Sequence, residues 1–250
     1  MKRKAFTLAE VLITLGIIGV LAAILIPNIV ENYREKQFTS QLKKVYAALA
    51  NAYEKTLVEY GETYNWNLGT ANSSDGANRL NELLLPNFRI LNNCKTDGGC
   101  WRNTEIKYLN NTSSGLNISN NSAYSTAFVE GGMLLAFRVL DANCNLAIGT
   151  GDEYGHVCAE VVVDVNGEKN PNAYGYDVHI FYVTRHGFVP AGHFEDQTTT
   201  FANHCENGNM GTGCTAWVLQ WSNMDYLHCS GLSWGGKNKC KNIFNYNYSL

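Results

Sequence analysis

The chain has 250 residues, of which only 16% are charged, against roughly 25% in an ordinary soluble domain. A mean hydropathy of −0.20, owed to 30 asparagines and 23 glycines rather than to ionic groups, excludes several membrane spans. The 12% of aromatic residues exclude a charge-rich disordered chain, and a net charge of −3 offers nothing global to attract nucleic acid.

The first predicted element is an apolar helix. Lys2, Arg3 and Lys4 precede a run from Phe6 to Ile26 in which Glu10 is the single charge. Those 21 residues would make a helix of about 31 Å, enough to cross a bilayer core, with the basic cluster held on the cytoplasmic side. A cleaved secretory signal has a shorter apolar core, of roughly 7–15 residues, followed by a small-residue cut site. Leu21-Ala22-Ala23 before Ile24 fits that pattern poorly. A plain signal anchor would leave Glu10 unexplained, because an intramembrane carboxylate costs at least ~2.5 kcal/mol.

The segment Lys4–Pro27, KAFTLAEVLITLGIIGVLAAILIP, resembles the class III leader and methylation segment of type IV pilins and type II secretion pseudopilins. The resemblance implies cleavage between Ala5 and Phe6 by a prepilin peptidase, and methylation of the new Phe6 amine. The family normally carries Gly before the cut, where this chain has Ala5. It further implies a membrane-retained helix, assembly with other pilin or pseudopilin subunits, an inner-membrane assembly platform and a cytoplasmic ATPase. In such a filament Glu10 meets the Phe6 amine of a neighbour, and two opposite charges in contact at low dielectric largely cancel each other's cost of burial. The alternative is a Glu10 that hydrogen-bonds within its own helix. Gly16, Gly19 and Pro27 weaken the helix, since proline removes one backbone bond and glycine costs about 1 kcal/mol against alanine.

Beyond Pro27 the pattern becomes amphipathic. Phe38, Leu42, Val45, Leu49, Tyr53, Leu57 and Tyr60 recur at three- and four-residue spacing, and Gly61 is a plausible C-cap. The expected organisation is therefore a leader at 1–5, an assembly half of the helix at 6–27, an amphipathic half at 28–61 and a globular head at 62–250. Residues 61–76 read as a loop, Ala77–Leu85 as a short helix stopped by Pro86, and the Asn/Ser-rich stretch 110–122 as an exposed loop. Strands are expected at Ala127–Val129, Met133–Leu140, Val157–Val165, Val178–Val183 and Phe188–Pro190. Ala216–Trp221 suits a strand or a short helix, and Cys229–Leu250 reads as stapled loop. The fold class is α+β: a pilin-like helix packed on an antiparallel sheet.

All eight cysteines lie between Cys94 and Cys240, which points to disulfides in an oxidising compartment. Eight thiols allow about 105 pairings. The spacing favours four local couples: Cys94/Cys100, Cys144/Cys158, Cys205/Cys214 and Cys229/Cys240. A zinc site would want tighter C-x₂₋₄-C spacing. The segment from Asp164 to Asp177, DVNGEKNPNAYGYD, gathers the oxygens of Asp164, Asn166 and Asp177 between turn-forming glycines and is a candidate calcium loop. It is similar to a β-loop of many pseudopilin-like proteins, some of which hold calcium there. The competing reading is an Asn-Gly turn with a proline-stiffened loop. Asp141, Asn143, Asn145 and Asp152 make a weaker oxygen cluster.

Catalytic motifs are missing. The chain has no H-E-x-x-H, P-loop or G-x-G-x-x-G pattern, its one G-x-S-x-G (Gly231–Gly235) lies in the tail read as stapled loop and not at a strand-to-helix elbow, and the adjacent pairs His204-Cys205 and His228-Cys229 are not a catalytic geometry. Lys237, Lys239 and Lys241 beside Trp234 and Phe244 read as a solvated loop rather than a single-strand platform. No motif requires a cofactor, with calcium the one cation in question. The expectation is a non-enzymatic subunit in a bacterial inner membrane, single-pass, its head outside the cytoplasm. Its filament would be a type II secretion pseudopilus in the periplasm. The alternatives are a type IV pilus subunit for adhesion, motility or DNA uptake, and a ligand-binding module displayed on a pilin-type anchor.

Overall fold

The computed structural model describes residues 7–206 and 210–240. Ala5, Phe6, Lys241 and Phe244 lie outside the described residues. Helix α1 spans Leu8–Tyr60, and the chain divides into two units between Gln37 and Phe38.

In the first unit the helix begins with a capping box. Thr7 donates its backbone N–H and its hydroxyl to Glu10 Oε2, both at 2.8 Å, while the Glu10 N–H returns to Thr7 Oγ1 at 3.3 Å. These reciprocal bonds satisfy N–H groups that the first helical turn leaves without partners. Leu12, Ile13, Ile17, Ile18, Leu21 and Leu25 are all exposed along this stretch. Pro27 sits inside the helix, where its missing N–H leaves the Ala23 carbonyl without its usual donor.

The second unit is a sheet with a helix on one face and loops on the other. Its six strands are β1 (Ile90–Lys95), β2 (Ser125–Val129), β3 (Met133–Val139), β4 (Val157–Asp164), β5 (Val178–Thr184) and β6 (Phe188–Pro190). They pair antiparallel throughout and stand in the sheet in chain order. Alternation sends Leu135, Phe137, Val161, Val163, Phe181 and Val183 to one face, where they pack with Phe38, Leu42, Val45, Leu49 and Tyr53 of α1. Leu134, Ala136, Val162, Val178, Ile180 and Tyr182 point the other way, under Trp101, Ile106, Ile118 and Tyr124. Every residue of β4 and β5 is buried. On that outer face the buried Glu160 is satisfied by Tyr124 Oη at 2.6 Å and Arg138 Nη2 at 2.8 Å.

Several elements differ from expectation. Helix α2 runs Ser74–Leu84, starting before Ala77 because the Ser73 side chain accepts the Gly76 N–H. The Asn/Ser-rich stretch 110–122 is not wholly exposed: Ile118 is buried and helps to cover the sheet. Strand β1, rich in asparagine and exposed along most of its length, has no counterpart among the expected strands. It pairs with β2 through backbone bonds despite two register irregularities. The ambiguous stretch 216–221 is helix α4, Thr215–Trp221, with Trp217 stacked on Phe201 at 4.1 Å. A single turn, α3 (Gly151–Tyr154), precedes β4.

Candidate functional site: the N-terminal segment and the loop of the head

The apolar half of α1 contains one stretch long and apolar enough to cross a membrane, by length and composition, and none of its most apolar window is buried. Glu10 lies within that stretch, its carboxylate taken up by Thr7 of the same helix. The expected cut between Ala5 and Phe6 falls outside the described residues.

The loop after β4 brings Asp164, Asn166 and Asp177 together. Asp177 accepts the N–H groups of Asn172 and Ala173, at 2.9 and 2.7 Å, one on each oxygen. Asp164 accepts the Asn166 N–H at 2.9 Å. Both carboxylates are buried. Burial, and then the charge of Asp177, hold Asp164 well above the usual carboxylate range. Burial pushes Asp177 up to about 6, against the opposing pull of the Ala173 and Asn172 N–H donors. The sequence did not single out Asn172, although it lies in the same motif. Its amide nitrogen donates to Thr104 Oγ1 and the Glu105 carbonyl, while its Oδ1, like that of Asn166, is buried without a hydrogen-bond partner among the described residues. Two carboxylates and two amide oxygens are the hard donors calcium takes. Among the described residues no group of three or more His, Cys, Asp or Glu side chains gathers around a metal position, so amides would complete any such shell. The weaker cluster is already served by a fixed cation: Arg185 donates to the Asn143 carbonyl and to Asn145 Oδ1.

The eight cysteines form four bridges, Cys94–Cys100, Cys144–Cys158, Cys205–Cys214 and Cys229–Cys240, each joining neighbours in sequence. The prokaryotic N-terminal methylation motif matches residues 1–26. This is a type IV pilin- or pseudopilin-type prepilin segment. No curated protein and no solved structure matches the chain. The prepilin segment implies processing by a prepilin peptidase and assembly with other pilin subunits, and points to a structural subunit rather than an enzyme. With one apolar N-terminal helix, it is consistent with a single-pass membrane anchor. Behind the prepilin segment stands the expected α+β architecture, a helix packed on an antiparallel sheet with a disulfide-stapled head.

Proposed function

We propose that the protein is a pseudopilin, a structural subunit that assembles through the apolar half of α1 into a type II secretion pseudopilus-like filament with its head outside the cytoplasm. The observation that carries the reading is the methylation motif on an apolar helix, in a chain whose head packs the second half of that helix on a sheet. The Asp164–Asp177 loop, with its paired carboxylates, favours the secretion filament over a type IV pilus. Cleavage would free the Phe6 amine one residue before Thr7. In a bundle of helices the Glu10 carboxylate then leaves or shares Thr7 to meet a neighbour's amine, which offsets the cost of both charges in lipid. The same loop is proposed to hold calcium, with Asp164, Asp177, Asn166 and Asn172 as oxygen donors.

The test is Glu10→Ala, expressed with the assembly platform. The expected result is a folded, membrane-inserted subunit that no longer enters filaments. Normal filament yield from that variant would overturn the mechanism.

A further inference from the structure

Within the second unit, a cleft of about 540 Å³ opens between the second half of α1, α3, the β5–β6 turn and α4. That volume is typical of small-molecule sites. Part of its wall is aromatic and pre-set. Tyr46 and Phe188 both stack on the buried Phe181, at 5.7 and 5.1 Å, and Tyr154 lies parallel to His193 at 5.6 Å. Two of the cleft's three phenolic hydroxyls are spent inside the protein. Tyr53 donates to the carbonyls of Thr184 and Arg185, each at 3.1 Å, and Tyr154 donates to the Pro190 carbonyl at 2.8 Å. Both rings are themselves buried and serve as the floor of the cleft, which leaves the half-buried Tyr46 as its accessible phenol ring.

The fixed charges in the cleft are of one sign, beside two histidines, His186 and His193. Glu54 and Glu153 line it and no lysine or arginine does. Among the described residues neither carboxylate has an ion-pair partner. Glu153 Oε1 lies 3.9 Å from where a side chain on Gly187 would begin, so this carboxylate reaches over the β5–β6 turn. The field of these acids is felt by the rings: after burial, Glu153 raises the Tyr46 phenol, and Glu54 and Glu153 are among the acids that raise Tyr53. Ala50 and Ala216 keep the walls low.

A wall that carries Tyr46, two carboxylates without an ion-pair partner and no lysine or arginine, beside the side chains of His186, His193 and Gln220, repels anions and suits a donor-rich cation. A cation needs a ring face within about 6 Å and an unpaired carboxylate nearby. We propose that this cleft binds an organic cation, an alkylammonium or guanidinium group, seated against Tyr46 and Phe188 with Glu54 and Glu153 as its counter-charges. The site uses the second half of α1 and none of the apolar half through which subunits are proposed to assemble, so its failure would leave the assembly reading intact.

Calorimetric titration of the full chain in non-ionic detergent at low ionic strength tests the assignment. The probes are butylguanidinium, its neutral isostere butylurea, and a peptide carrying one arginine among neutral residues. Butylguanidinium is expected to saturate one site and to bind about tenfold more tightly than butylurea. Glu153→Gln should weaken it about threefold, and the Glu54→Gln, Glu153→Gln pair about tenfold, with melting temperatures unchanged because both side chains are exposed. A peptide that binds more tightly than butylguanidinium supports the assignment and names a partner protein's side chain as the source of the cation. Equal affinity supports it with a free amine as the source. Equal binding of butylurea, or unchanged butylguanidinium affinity in the paired variant, overturns it.

Discussion

His179 is a wholly buried imidazole on the α1 face of β5, and neither of its ring nitrogens has a hydrogen-bond partner among the described residues. Burial pulls it down to about 3 from an ordinary 6.5. A histidine depressed in the fold stabilises above its unfolded value, and that stability is lost as pH falls from 6.5 towards 3. At pH 5 the loss is about 2 kcal/mol. His179→Leu should match the parent at pH 7.5 and exceed it at pH 5 in denaturant unfolding; equal losses on acidification would refute this. The Asp164–Asp177 pair has the opposite sign. Its raised carboxyls stabilise the fold fully below about 3.8; the Asp177 contribution is lost as pH rises through about 6, and Asp164, also raised, acts in the same direction. With calcium bound, the repulsion at neutral pH would be relieved. Millimolar calcium should therefore raise the melting temperature at pH 7.5, raise it less at pH 5 where protons compete, and leave Asp164→Asn unmoved. No shift in the parent protein at pH 7.5 would remove calcium from the loop.

At the level of elements, what was legible had a period. The stripe from Phe38 to Tyr53 and the β-branched runs of β4 and β5 announced themselves because one helix face and two sheet faces demand apolar side chains at fixed intervals. Strand β1 has no such demand: its asparagines are exposed and its place is held by backbone bonds to β2. Trp101, Ile106 and Ile118 cover the outer face as isolated apolar residues in polar loops, a pattern with no spacing to detect. The acid-and-amide loop was readable because its donors are close in sequence. The cleft was not, since Tyr46, Glu153 and Phe188 meet only through the fold. The bridges are elements too. Cys144–Cys158 closes a loop of about 15 residues, for which chain entropy gives about 3 kcal/mol. Replacing both cysteines by alanine should lower unfolding stability by that order; a loss under about 1 kcal/mol would show that packing alone holds β4 to the loop before it.

For the whole molecule, the proposed cleavage after Ala5 would change the electrostatics. Removing residues 1–5 takes Lys2, Arg3 and Lys4 with it, so the formal side-chain charge goes from −3 to −6. Mass spectrometry of the membrane-derived protein should find a chain beginning at a methylated Phe6, eight hydrogens lighter than its thiol form because of the four bridges. A chain beginning at Met1 or at Ile24 would contradict the processing. The bridge map has a further consequence for manufacture. If the head is exported behind its N-terminal anchor, as proposed above, the chain delivers Cys94 and Cys100 before Cys144, then each later couple in turn, and every cysteine meets its proper mate first. No wrong bond has to be broken and exchanged, so an oxidant suffices without an isomerase.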